Sequence, residues 1–248
     1  MNLIKLKTRN QRTNHRGISM TQRTMDHEIH DLQDEVLLLG SMVEQAMLSA
    51  IKSLKHRDFA TSQRIIKEDN LINEKQYAIE NCVLHIFSTQ QPVARDLRML
   101  AAIFDVVTDL ERMGDYAKRI ARINLKIGKE EIQLPIREIS RMGDVAVEML
   151  HRALSAFINT DVQMAYRIPE EDDLVDELYK NIYRKTINHM IANPEDIDRT
   201  NDIIWIAHDI ERMADRVTNI CKRTIFIATG EMVKLDLSGD EFLDLGTP

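Results

Sequence analysis

The chain has 248 residues but only 8 Gly and 5 Pro, too little turn chemistry for an all-β sandwich or barrel. Charged residues make up 29% and hydrophobic residues 44%, which excludes both a disordered chain and a membrane-embedded one. The net charge of −7 is unevenly spread: the first 24 residues hold six bases (Lys5, Lys7, Arg9, Arg12, Arg16, Arg23) and no acid, leaving 27 bases against 40 acids. An acidic body argues against duplex DNA as the main partner, because affinity there rests on neutralising phosphates. Aromatics are 5% while Met reaches 13 residues, so the core is built from Leu, Ile, Val, Ala and Met, the usual filling of helix bundles.

In chain order, residues 1–24 read as a basic extension, with Met20 or Met25 as alternative beginnings; the simplest expectation for it is disorder. Helical periodicity then predicts a first helix over about 25–55 and a second over about 59–89. Pro92 opens a third that ends at Gly128. Residues 129–134 form a polar link, and Pro135 opens a fourth helix reaching about Asn159. A fifth starts at Thr160 or Asp161 and runs to about Ala192, with Pro169 kinking it or marking its true start. Asn193 and Pro194 have the look of a new helix start, and the sixth helix ends near Gly230. Residues 231–248 are expected to form an irregular or loosely docked tail. Apolar runs such as the five residues 203–207 fall well short of the roughly 18 needed to span a bilayer. Cys82 and Cys221 are too few for a disulfide framework, and no cleavable leader is evident. The expected location is the cytoplasm.

The order of events repeats. KEDNLINE at 67–74 returns as EEDDLVDE at 170–177, an offset of 103, and DLERMGD at 109–115 returns as DIERMAD at 209–215, an offset of 100. This predicts an all-α protein of two homologous, antiparallel three-helix bundles in tandem, over 25–128 and 135–230.

Acidic residues recur in register with that repeat. On a wheel of about 100° per residue, Leu97, Leu100, Phe104 and Val107 form a stripe, with Glu111 and Asp115 on its shoulder and Asp105 and Asp109 pointing to solvent. In the second copy Ile197, Ile204 and Ala207 lead into Glu211 and Asp215. Along the second helix Ile65, Ile72, Ile79, Val83 and Ile86 form a stripe that contains Asp69, with Asn73 one turn on. In the fifth, Ile168, Val175 and Ile182 mark the stripe, with Asp172 and Asp176 in the corresponding places. Carboxylates beside an apolar stripe are costly unless paired, protonated or bound to a cation. The plain reading pairs them with Arg112, Arg119, Arg212 and Arg216; four i,i+4 pairs in repeated register point instead to a metal-binding seam. Asp and Glu clusters with little His suit Mg, Mn, Fe, or Zn held by carboxylates.

The two D-L/I-E-R-M-G/A-D copies, with the acidic motif of the preceding helix, resemble the PhoU family of phosphate-uptake regulators over about residues 25–230. The resemblance implies two three-helix bundles related by pseudo-symmetry. It also implies multinuclear iron or zinc sites, carried here by Asp69, Asn73, Glu111 and Asp115 in one half and by Asp172, Asp176, Glu211 and Asp215 in the other. Asn73 departs from the acidic pattern. The resemblance further implies a non-enzymatic negative regulator of phosphate uptake and of the phosphate-starvation response. Its partners would be the ATPase of the phosphate ABC transporter and a phosphate-sensing histidine kinase, with a homodimer as the assembly. It would associate with the membrane transporter peripherally, with no insertion and no nucleic acid.

The rival reading is a carboxylate-bridged di-iron oxidase or storage protein of the ferritin-like class, which requires two Glu-x-x-His motifs. Glu148 to His151 is the single such spacing, out of register with the acidic pairs. There is no phosphate loop, CxxC pair or HExxH. His208 lies near the second acidic seam and reads as a core or edge histidine before a ligand. Trp205 takes the place of Asp105 on the outward face. Met42, Met47, Met142 and Met149 read as core filler.

Overall fold

The structure, a computed structural model, describes residues 20–129 and 135–235. Its helices are α1 (Met20–His56), α2 (Phe59–Gln90), α3 (Ala94–Ile127), α4 (Ile136–Asn159), α5 (Val162–Arg167), α6 (Asp172–Ala192) and α7 (Ile197–Thr229). There is no strand among the described residues. Helix α1 begins at Met20, inside the segment expected as an extension; residues 1–19, most of the polar link (130–134) and the tail from 236 lie outside the described residues. Of the tail, Val233 and Leu235 pack partly against the core.

The first bundle is α1, α2 and α3; the second is α4, the α5–α6 pair and α7. The α1–α2 and α4–α5 turns are built alike. Arg57 and Thr160 both adopt left-handed backbone, with φ 55° and 53°. The next residue in each copy, Asp58 or Asp161, then caps the following helix, accepting from the backbone N–H of Thr61 or Met164 at 3.0 Å. A side-chain oxygen at this position satisfies one of the donors a helix start leaves free. Pro92 does not open α3: Gln91 is left-handed and Val93 extended, so the helix starts at Ala94. Pro169 breaks the fifth helix. It lacks the N–H that an α-helical turn needs, and a 3₁₀ turn over Ile168–Glu171 separates α5 from α6. Asp172 is thereby the first residue of α6, whereas its counterpart Asp69 lies inside an unbroken helix.

The two bundles share one core through a pseudo-two-fold arrangement. Helices α3 and α7 run antiparallel, bridged by Lys126–Asp202 (2.7 Å), Arg119–Asp209 (3.4 Å), Arg216–Asp109 (3.4 Å) and Arg223–Asp105 (3.0 Å). Their repeat-equivalent, fully buried Met113 and Met213 lie at the centre of that run. On the other side α1 meets α4 through two repeat-equivalent glycines: a Cβ on Gly40 would stand 2.2 Å from Leu154 Cδ1, and one on Gly143 2.0 Å from Ile51 Cδ1. Ile51 and Leu154 are themselves repeat equivalents.

This packing corrects two expectations. Asp109 does not face solvent, because its side of α3 is applied to α7, while Asp105 keeps an exposed edge as it pairs with Arg223. Leu97 and Ile197, expected on the buried stripe, are exposed, because α3 and α7 bury a second face against each other and the buried arc turns away from those positions. Residues 25–56 contain an 18-residue window of mean hydropathy 1.2, long and apolar enough by composition to cross a membrane. Gly40, Ser41, Glu44 and Gln45 interrupt it, so it is no continuous apolar run, and Val36, Leu39, Val43, Met47, Ala50 and Leu54 are fully buried in the bundle. Met47, Met142 and Met149 are fully buried filler, whereas Met42 is only partly buried at the edge of the core.

Candidate functional site: two acidic seams

Each bundle places its acids where the repeat predicts, along the groove between the second-position helix (α2 or α6) and the last (α3 or α7). Ile65, Ile72, Ile79, Val83 and Ile86 are all buried, and Asp69 among them is 3% exposed. Ile168, Val175 and Ile182 are fully buried and Asp172 beside them is 4% exposed. Asn73, Glu111, Asp115, Asp176, Glu211 and Asp215 are half-buried.

The two seams differ in what meets these acids. In the first, Lys118 Nζ donates to Asp69 Oδ2 at 2.6 Å and to Asp115 Oδ1 at 3.1 Å. Burial raises the Glu111 carboxyl above the usual range, reinforced by the charges of Asp115 and Asp69 and opposed by Arg112 and Lys118. The side-chain oxygen of Asn73 is buried without a partner.

In the second seam the four carboxylates act on one another. Burial, then Asp215, Asp176 and Glu211, push Asp172 up to about 7. Glu211 is pushed up to about 7 by burial and Asp215, with Arg212 opposing. Burial also raises Asp176 and Asp215. Arg212 Nη1 donates to Asp215 Oδ2 at 2.9 Å, while Asp172 Oδ1 and Glu211 Oε2 are buried with no hydrogen-bond partner. An orphaned, desolvated carboxylate oxygen is costly, and a cation is what such an oxygen lacks. The donor set thus fits a hard or borderline divalent ion. Among the described residues no three His, Cys, Asp or Glu side chains already converge on one point; these acids are strung along a groove.

Beyond Glu211 toward the start of α7, His208 stacks edge-on with Trp205 at 5.5 Å and with Tyr179 at 6.5 Å. Its Nδ1 is buried without a partner, and burial, helped by Arg212 and Arg119, lowers its pKa. Trp205 is 45% exposed, in keeping with its outward placement on the wheel. Glu148 and His151 lie elsewhere, with His151 Nδ1 3.4 Å from Glu44 Oε1 on α1. Of the arginines expected to pair with the seam acids, Arg212 does so, whereas Arg119 and Arg216 reach across to Asp209 and Asp109. The cation that does enter the first seam, Lys118, was missed. Its signal lay in the repeat itself, where DYAK at 115–118 aligns with DRVT at 215–218.

A family model, the PhoU domain, matches residues 36–123 and again 139–224. The chain belongs to the PhoU family. It is 34% identical over 218 residues to a phosphate-specific transport system accessory protein PhoU homolog of Clostridium acetobutylicum, covering 88% of this chain and all of that one. It is 31% identical to the phosphate-specific transport system accessory protein PhoU of Escherichia coli, covering 86% and 88% of the two chains. The crystal structure of the phosphate transport system regulatory protein PhoU from Streptococcus pneumoniae superposes with a TM-score of 0.80 at 30% identity, over 85% of this chain and all of that one. PhoU from Pseudomonas aeruginosa gives 0.79 at 30% identity, over 84% of this chain and all of that one. The family model's two matches coincide with the two bundles and with both acidic seams.

Proposed function

We propose that this chain is a non-enzymatic accessory protein of a phosphate-specific transport system, restraining phosphate uptake and the phosphate-starvation response when phosphate is plentiful. The observation that carries the reading is the PhoU repeat in both halves, together with 34% identity to a transport-system accessory protein along that protein's whole length. The chain acts in the cytoplasm, as a homodimer, docking on the ATPase of the phosphate ABC transporter and on a phosphate-sensing histidine kinase. An adaptor of this kind works by binding one state of its partner more tightly than another.

Metal, iron or zinc before magnesium or manganese, belongs to this reading. Asp172, Asp176, Glu211 and Asp215 would hold it in the second half; Asp69, Asn73, Glu111 and Asp115 are the corresponding set in the first. A cation held there would supply positive charge to the buried carboxylates of α6 and α7. The partner-free roles of the chain's own residues are structural: Arg212 orients Asp215, and the apolar stripe of α6 keeps water from Asp172.

Deletion of the gene should leave phosphate-starvation genes switched on in high phosphate. The purified protein should bind the transporter ATPase or the kinase, and show no phosphatase, ATPase or ferroxidase turnover above a metal-only control. Normal repression in the deletion strain, or saturable iron oxidation that depends on Glu148 and His151, overturns the proposal.

A further inference from the structure

Asp69 and Asp172 occupy the same position in the two repeats and are buried to the same degree, at 3% and 4% exposure. Their surroundings are not the same. Asp69 has an ammonium group 2.6 Å away, and that group also reaches Asp115 at 3.1 Å. Asp172 has no ion pair, its Oδ1 is without a partner, and so is Glu211 Oε2 next to it. The position matching Lys118 is Thr218, which is buried and turns its hydroxyl back to the Asp215 carbonyl at 2.8 Å. A second position changes with it. Where the lysine is present the fourth ligand position is an amide, Asn73; where the lysine is missing it is a carboxylate, Asp176. The first seam therefore sets three carboxylates against one ammonium that reaches the buried aspartate, whereas in the second the one cation paired to the four carboxylates, Arg212, reaches Asp215 at 2.9 Å and leaves Asp172 Oδ1 and Glu211 Oε2 without a partner.

We infer that Lys118 is a built-in cation that takes the place of a metal in the first seam, so that only the second seam binds metal. The inference rests on the metal reading above and narrows it. A buried carboxylate must be neutralised or paired, and the two halves meet the same requirement differently. A tethered ammonium with three donors serves two carboxylates permanently. A diffusible divalent ion serves four carboxylates only while it is present, so its occupancy follows the surrounding metal supply. One half is then a permanently braced bundle, and the other tightens or loosens with metal.

The experiment uses the full chain stripped with chelator and then exposed to Zn²⁺ alone, comparing wild type with Lys118→Thr, Thr218→Lys and the uncharged control Thr218→Met. Bound metal per chain and the melting temperature with and without Zn²⁺ are read for each. Lys118→Thr should melt lower than wild type without metal, recover on adding Zn²⁺, and bind roughly twice the wild-type amount, as a second apo site becomes available. Thr218→Lys should lose its bound metal and its Zn²⁺-dependent rise in melting temperature, while Thr218→Met keeps both. If Lys118→Thr folds only with Zn²⁺, the inference stands; if Zn²⁺ does not restore it, the inference fails. Wild-type metal content unchanged in both charge variants overturns the role of Lys118 and leaves the metal reading intact. No metal bound by wild type overturns both.

Discussion

Asp209, in the DIERM motif of α7, has no exposed surface, and neither of its carboxylate oxygens receives a hydrogen bond. Arg119 Nη1 stands 3.4 Å from it across the bundle interface. Burial pushes its carboxyl up to about 7 despite Arg119. A carboxyl whose pKa is raised on folding holds its proton in the native state while the unfolded chain releases it. Its contribution is therefore intact below about pH 4 and is lost as pH rises toward 7. Asp172 and Glu211, both also near 7, add the same sign in the metal-free protein. Asp209→Asn should stabilise the chain by about 1–3 kcal/mol at pH 8 and by little at pH 4.5, as read by urea denaturation at the two values. Equal effects at both pH values would show that Asp209 is ionised without cost. The repeat-equivalent Asp109 is partly exposed, accepts from Arg216 and is raised too. The polar side chains that fasten the first bundle's turn have a different history in the repeat. Buried Asn124 donates to Ser62 Oγ at 2.9 Å and to the Ser53 carbonyl at 3.1 Å. The matching positions in the second bundle are Thr224, Ala165 and Ala156, all of them buried. The trio is replaced together, as a buried hydrogen-bond network demands when a lone survivor would be left unsatisfied.

At the scale of elements, the crossing of α1 and α4 depends on two missing side chains. Leu154 enters the space over Gly40, and Ile51 enters that over Gly143. Alanine suits a helix interior better than glycine by about 0.5–1 kcal/mol, so on an open helix Gly40→Ala would stabilise. Here the new methyl meets Leu154 Cδ1, and overpacking of this kind costs about 1–3 kcal/mol. Net destabilisation of roughly 1–2 kcal/mol is expected for Gly40→Ala. Leu154→Val removes the clashing methyl, so the double variant should be more stable than the sum of the two single effects. Strict additivity in a double-mutant cycle would mean that the helices separate freely. The other element-level feature, the break in the fifth helix, was legible because Pro169 announces itself. That the break makes Asp172 the first residue of α6, where the positive end of the helix favours an anion, needed the actual helix boundary.

The whole molecule behaves as one body with an internal two-fold, because each bundle uses its neighbour to complete its burial. Helix α3 is packed on one side by α1 and α2 and on the other by α7, and α1 in turn rests on α4. A half expressed alone would expose the apolar face that meets its partner, together with charges such as Asp209 and Arg119 that pair across it. Full-length protein should therefore unfold in a single transition, and separately expressed segments 20–129 and 135–235 should be aggregated or loosely folded until mixed. Two resolved transitions, or a well-folded soluble half, would show that the bundles are independent domains.

The order of the helices, the repeat, and the placement of eight candidate residues on two grooves were determined by the sequence itself; the split of the expected fifth helix in two was announced only by Pro169. Those features follow from the helical period and from cap and proline chemistry, which act over a few neighbouring residues. Comparison of the copies could also have revealed Lys118 against Thr218. What only the tertiary structure decided was the use of the remaining helix faces. The period that marks one buried side of α3 says nothing about a second helix arriving on the opposite side. Asp109 thus reads as solvated until α7 is seen against it. The same holds for the charge of each seam: whether a buried carboxylate meets an ammonium or no partner at all depends on side chains brought together from different helices.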